Sequence, residues 1–333
     1  MKRRPRGSTS AVLASFEMAG PYLVALEGGG TRSQAAVMDW ASGRILALRE
    51  SGSVNANFIS LAEAQQAALS AVCGVLDAAQ AQGEAVRVFA SALVGARFGA
   101  EVFASLLPRA SYHFYGEGDV VFARAAVYPP HGVAVVGATG ATTWAVRADQ
   151  GRELIFGGWG ALLGDEGSAY AMGLAGLRAA ARAFEGREGP TRLVDAVCQQ
   201  FNISPTTFRE DLIALAYHKP LTRAEIAGLA VTVTRLAAEG DTVARQIVDI
   251  VAGDLMALVL HAARSSFGAQ ESFPVAAAGG LFNAGEMILG PLRSGLAREF
   301  PNARLILGKE APAAALARLA LDDFIHHRRD YVD

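Results

Sequence analysis

Residues Tyr22–Asp39 read YLVALEGGGTRSQAAVMD, and the fold is decided there. Leu23, Val24 and Leu26 make a short apolar run that suits a buried strand. Gly28, Gly29 and Gly30 remove every Cβ from the turn that follows. The backbone is free to take positive φ there, and its N–H groups can approach a ligand closely. Thr31 adds a hydroxyl. Ala35–Met38 resume an apolar strand, which Asp39 ends. A glycine turn between a carboxylate, Glu27, and a hydroxyl suits phosphate oxygens and a hydrated cation. It is neither common phosphate loop: GxxxxGK[ST] is absent, and a strand follows where a dinucleotide fold would open a helix. Taken alone, the stretch reads equally well as a glycine-rich hairpin without a ligand.

Around it lie 333 residues, enough for two ordinary domains. With 52% hydrophobic and 19% charged residues, the composition is that of a folded globular chain. A formal net charge of -2 gives no reason to expect a nucleic-acid partner. No apolar run is long enough to cross a bilayer, so no membrane partner is expected. The two cysteines, Cys73 and Cys198, sit alone in helix-like segments. That points to a reducing, cytoplasmic setting and away from a disulfide framework. The histidines show no HxxxH or HExxH spacing. The basic start (Lys2, Arg3, Arg4, Arg6) has too short an apolar piece behind it for a signal peptide, and residues 1–20 read as a disordered extension.

After the opening hairpin, Gly43–Arg49 reads as a strand. Leu61–Gln82 reads as a helix closed by Gly83. Val86–Leu93 is a strand, Ala100–Leu107 a short helix stopped by Pro108, Tyr112–Tyr115 a strand and Val120–Val127 a helix. Pro129–Gly132 is the best domain boundary. Beyond it the pattern starts again: strand Val133–Val136, small-residue turn Ala138–Ala141, strand Thr142–Arg147. This is a repeat of architecture without identity of sequence. A long helix is expected from Glu166 to Phe184, then helices over Thr191–Gln200, Thr206–Tyr217, Ala224–Glu239 and Thr242–Ser265. A strand (Phe273–Ala278), the turn Gly279-Gly280, a helix (Gly285–Glu299), a strand (Arg304–Leu307) and a closing helix (Pro312–Ile325) complete the chain.

Two motifs carry a family likeness. They are Glu27-Gly28-Gly29-Gly30-Thr31-Arg32-Ser33, and Gly157-Gly158-Trp159-Gly160 through Gly164-Asp165-Glu166-Gly167-Ser168-Ala169-Tyr170. The second is long and contains rare residues. With them, over about Tyr22–Ala320, the chain resembles the N-acetylglucosamine kinase family, within the BadF/BadG/BcrA/BcrD ATPase-like group of the actin–sugar kinase–Hsp70 superfamily.

The resemblance implies an α/β fold of two ribonuclease-H-like (actin/hexokinase-type) domains with an interdomain cleft. They would span 21–128, joined by the C-terminal helix 312–326, and 129–311 with a helical insertion. It implies ATP and Mg²⁺ as cofactors, an amino sugar as substrate and a homodimer. The reaction would be phosphorylation of the 6-hydroxyl of N-acetylglucosamine, with glucosamine as the rival sugar. By resemblance, Gly29, Gly30, Thr31, Arg32, Thr139, Gly140, Gly279 and Gly280 bind ATP, and Glu27 holds Mg²⁺ through water. Arg32 could instead face solvent. Asn55, in the family's S-x-N loop, binds the sugar with Gly158, Trp159, Gly164, Asp165 and Glu166. Turn chemistry would equally explain Asn55, and a capped helix start Asp165 and Glu166. Asp119 aligns with the catalytic aspartate, though it is also a fitting N-cap, and Glu117 competes with it.

One departure stands out. The family's second phosphate turn reads Gly-Thr-Gly-Ser, and here it is Ala138-Thr139-Gly140-Ala141. Loss of one phosphate donor costs about 1–3 kcal/mol. A catalytically weak sugar- or nucleotide-binding protein is therefore the alternative. The activator ATPases of the wider group need cluster-ligating cysteines that this chain does not supply.

Overall fold

The computed structural model describes residues 21–218 and 220–326. The expectation for residues 1–20 falls outside them. The described residues form two compact units: those up to Tyr128 with those from Glu310 onward, and Pro129–Lys309.

In the first unit, β1 (Tyr22–Gly28), β2 (Ser33–Asp39) and β3 (Ile45–Ser51) form an antiparallel meander. Helix α1 (Leu61–Ala79) follows, then β4 (Val86–Leu93) parallel to β1 and β5 (Ser111–Phe114) parallel to β4. The sheet order is β3-β2-β1-β4-β5. Helix α2 (Glu117–Arg124) comes next. Val24 and Leu26 of β1 pack with Val72 and Val75 of α1 on one face of the sheet. Leu23 and Ala25 pack with Val120 of α2, and with Leu316 and Leu319 of the chain's last helix, on the other. Both faces are covered, so β1 is a continuous apolar run with no alternation.

Two local expectations fail here. Helix α1 ends at Gln80, in the left-handed region at φ 52°, and Gly83 instead opens a short 3₁₀ turn. Gly83 is needed for close approach: a Cβ there would lie 1.9 Å from the Leu106 carbonyl oxygen. Ala100–Leu107 is a run of tight turns with only a 3₁₀ turn at Ala100–Val102. Its buried anchors, Phe103 and Leu107, pin that segment into the core beside Phe89.

The second unit repeats the plan. β6 (Gly132–Gly137), β7 (Ala141–Arg147) and β8 (Arg152–Gly157) form an antiparallel meander. Five helices follow: α3 (Ala169–Phe184), α4 (Leu193–Phe201), α5 (Phe208–Ile213), α6 (Arg223–Ala238) and α7 (Thr242–Arg264). β9 (Pro274–Ala278) lies parallel to β6, α8 (Glu286–Glu299) follows, and β10 (Arg304–Leu307) lies parallel to β9. The final helix of the chain, α9, is Pro312–Ile325. The order β10-β9-β6-β7-β8 matches that of the first sheet, strand for strand. Val135, Ala141 and Ala145 pack with Val248 and Leu255 of α7 in the core.

The expected helix start at Glu166 is corrected to Ala169, with Ser168 as N-cap accepting from Ala171 N at 3.1 Å. Gly167 forces the break. Its φ is 75°, and a Cβ would sit 2.8 Å from the Leu255 backbone. Thr206–Tyr217 is also not one helix, because α5 passes into a π turn at Ala214–His218.

Candidate functional site

In the first unit the glycine turn is a tight hairpin, in which Gly29 N donates to Arg32 O at 3.0 Å. None of Gly28, Gly29 and Gly30 takes a positive φ, so the glycines are there for space. A Cβ on Gly28 would come within 2.5 Å of Val54 Cγ2. A Cβ on Gly29 would meet nothing within 4 Å, so Gly29 leaves an open approach to the backbone. Gly30, Thr31 and Arg32 are exposed, and Arg32 Nη1 lies 3.4 Å from Glu50 Oε1.

Glu27 closes β1 directly before this turn. Burial, then the neighbouring charge of Glu117, push its carboxyl up to about 7, against the opposing pull of Arg124 and Arg32. Burial also pushes Glu117 up to about 7. Glu117 is the first residue of α2, and Arg124, in that helix's last turn, donates from Nε to Glu310 O at 2.8 Å. Two half-buried carboxylates thus sit together at the mouth of the turn. Asp119, two residues on, turns back: its Oδ2 accepts from Gly116 N at 3.0 Å. The capping role that the sequence allowed is occupied. Nothing in the sequence spacing of Glu117 announces its interaction with Glu27.

Asn55 is buried at 5% exposure. Its Oδ1 accepts from Asn57 N at 2.9 Å, and Asn57 Oδ1 accepts from Arg97 Nη2 at 2.9 Å. Through Asn57, Asn55 is therefore linked to Arg97, which sequence reasoning missed. No sequence spacing links positions 57 and 97.

In the second unit, the turn at Ala138–Ala141 is held by its own backbone. Ala138 N donates to Gly140 O at 2.9 Å, while Ala169 N and Tyr170 N donate to Ala138 O and Thr139 O at 2.9 and 3.1 Å. So the start of α3 is stitched to the turn. The Ala141 side chain is 1% exposed and belongs to the core. Asp165, 7% exposed, lies beneath the turn. It accepts from the Ala141 backbone, and from Arg223 Nη2 at 2.5 Å. A Cβ on Gly140 would meet Asp165 Oδ1 at 2.9 Å. Burial raises the Asp165 carboxyl, and Arg223 pulls the other way. Asp165 therefore braces the turn. Arg223, 58 positions away in sequence, carried no signal beyond its place in the first turn of α6.

Glu166 is exposed. With Gly164, Gly157, Ala141 and Asp254 of α7 it lines a cavity of about 160 Å³. Trp159 stands 73% exposed on the loop after Gly158, which takes φ 70°. Gly279 takes φ 120°, and a Cβ there would lie 2.2 Å from Gly137 O, so only glycine lets the ends of β9 and β6 meet. Gly280 has open space on its Cβ side. Thr139, Gly140, Gly279 and Gly280 thus share the end of one sheet, as Gly29, Gly30, Thr31 and Glu27 share that of the other. Among the described residues no cluster of three or more His, Cys, Asp or Glu side chains could hold a metal by protein ligands alone. No described helix is long and apolar enough to cross a membrane.

Comparison with known proteins shows the family and the fold. The family described as BadF/BadG/BcrA/BcrD ATPase matches residues 26–302. The N-acetylmuramic acid/N-acetylglucosamine kinase of Clostridium acetobutylicum is 29% identical over 182 residues. That match takes in 55% of this chain and 58% of the relative, so the likeness spans little more than half of either. Two solved structures, proposed N-acetylglucosamine kinases from Chromobacterium violaceum and Porphyromonas gingivalis, each superpose with a TM-score of 0.69. They are 23% and 19% identical, cover 90% and 91% of this chain, and each is itself covered to 99%. At that identity they speak for the fold alone.

Proposed function

Because the chain belongs to the BadF/BadG/BcrA/BcrD ATPase family, we propose that it is an ATP-dependent sugar kinase. The substrate is N-acetyl-D-glucosamine, and the products are its 6-phosphate and ADP. The observation that carries this reading is the juxtaposition, within one unit, of the glycine turn and its Glu27 with the carboxylates that open α2.

The 6-oxygen forms a bond to the γ-phosphorus, the bond from that phosphorus to the β,γ-bridging oxygen breaks, and ADP leaves. The hydroxyl proton passes to a carboxylate at the start of α2. Asp119 is the base to which the resemblance points. A second reading, Glu117, is supported by its place against Glu27, while Asp119 spends an oxygen on Gly116 N. By the family resemblance, the Gly29–Thr31 backbone in the first unit, and Thr139, Gly140, Gly279 and Gly280 in the second, are each candidate nucleotide contacts. The oxygen donors at the first turn fit a hard dication, and Glu27 would hold Mg²⁺ through water. When bound, that ion neutralises charge on the transferring phosphoryl group.

By the family resemblance, Asn55 in the first unit, and Gly158, Trp159, Gly164, Asp165 and Glu166 in the second, are each candidate sugar contacts, with Asp165 acting through the second turn. An N-acetyl sugar bearing a carboxylate is a second substrate reading, supported by Arg97 beside the Asn55 loop. Glucosamine is the third. The same proposal includes a homodimer in the cytoplasm. ADP release from MgATP over N-acetylglucosamine, glucosamine, N-acetylmannosamine, N-acetylmuramic acid and glucose tests it. Turnover on an N-acetyl sugar is expected. Saturable sugar binding without turnover on any of them would leave a binding protein.

A further inference from the structure

The first phosphate turn and the sugar loop lie some way apart in sequence, yet one side chain joins them. Ser53 Oγ donates to Gly29 O at 3.1 Å and accepts from Asn55 N at 3.2 Å. Val54 N also donates to Gly29 O, at 3.3 Å, while the fully buried Val54 side chain packs where Gly28 lacks a Cβ. Two backbone bonds close the frame from the other side: Val94 N to Gly28 O at 2.8 Å and Ala56 N to Gly95 O at 3.0 Å. Gly95 takes φ 68°, and a Cβ on it would lie 2.2 Å from Asn55 Oδ1, so the amide is clamped in place.

A peptide group is planar and trans. The Gly29 carbonyl and the Gly30 N–H belong to one such plane and point in opposite directions. Two donors on the Gly29 oxygen therefore fix the direction in which Gly30 N–H points. The hydroxyl that does this also holds the backbone of Asn55.

We infer that Ser53 is a positioning residue that sets the aim of the Gly30 N–H and the place of the Asn55 loop together, so that sugar and nucleotide raise each other's affinity. The inference rests on the kinase reading of the two loops. Ser53 acts through Gly29 and Asn55. Because the coupling is between binding free energies, it is the same whichever ligand is added first.

Calorimetry on the full chain tests it. The dissociation constants of ADP and of N-acetylglucosamine are measured, each alone and with the other saturating. In the parent protein each ligand tightens the other about fivefold or more. In Ser53→Ala the mutual effect falls to about twofold or less, and kcat falls about tenfold. Ser53→Thr, which keeps the hydroxyl, retains both. Melting curves check that each variant is folded. A parent with no mutual effect, or a Ser53→Ala that keeps it, overturns the inference. If Ser53→Ala does not fold, loss of coupling in a folded Ser53→Thr overturns it as well. The kinase reading fails separately, on a parent that phosphorylates no sugar.

Discussion

Gly28 and Gly29 are adjacent and of the same type, yet they meet different physical demands. At Gly28 an added methyl runs into Val54 at 2.5 Å. Gly28→Ala is therefore expected to lower stability by about 1–3 kcal/mol through overpacking. At Gly29 an added methyl meets no atom of the protein and the φ is ordinary. Gly29→Ala should melt within about 0.5 kcal/mol of the parent while its KM for ATP rises, because the methyl occupies the phosphate's approach. Equal losses of stability in both variants would contradict this assignment. The sequence made the turn legible through Glu27-Gly28-Gly29-Gly30-Thr31, but it suggested positive φ. The steric reason became visible only once Val54, 26 positions away, was in place.

The Glu27–Glu117 pair also belongs to the residue scale. Both carboxyls are raised from the ordinary 4.5 to about 7. The folded state therefore binds protons that the unfolded state has released. The pair's contribution to stability is fully present below about 4.5 and is lost as pH rises through about 7. The ligand-free protein should melt at progressively lower temperature from about pH 5 to pH 8, and Glu117→Gln should flatten that slope. Parallel slopes in parent and variant would mean that burial does not raise the Glu117 carboxyl as described.

At the scale of elements, long-range polar braces do what the local sequence does not announce. Asp241 caps α7, accepting from Ala244 N at 2.9 Å, and also takes Arg192 N at 2.8 Å and the Thr191 hydroxyl at the start of α4. Those bonds outweigh the burial that would raise its carboxyl, and hold it below the usual aspartate range. Asp241→Ala should cost about 2 kcal/mol at neutral pH. Because the folded value is depressed, the difference between parent and variant should shrink as pH falls through that value. The start of α7 at Thr242 was readable from the sequence; the hold of Asp241 on α4 was not. The Asp165–Arg223 brace is similar. Arg223→Ala, in a part-exposed pair, should cost about 1–3 kcal/mol and raise KM for ATP by loosening the second turn. Helix ends set by non-glycine residues, such as Gln80, and the turns around Phe103 escaped sequence reasoning because packing overrides propensity there.

For the whole molecule, the two sheets share a strand order that the sequence hinted at through two strand–turn–strand openings with no identity between them. The first unit is discontinuous: Leu316 and Leu319 of α9 complete the core behind Leu23 and Ala25. A chain ended at Lys309 should therefore expose that face and aggregate, while the full chain stays soluble. In the altered turn Ala138–Ala141 the backbone bonds are intact and the Ala141 side chain is buried. Phosphoryl transfer to a sugar hydroxyl turns on one measurement: the rate of ADP release from MgATP with N-acetylglucosamine, in the parent and in Glu117→Gln and Asp119→Asn. Sugar-dependent turnover is expected in the parent, falling about 100-fold or more in one of the two variants while sugar binding persists. ADP release that does not depend on any sugar, or that survives both substitutions unchanged, would contradict it.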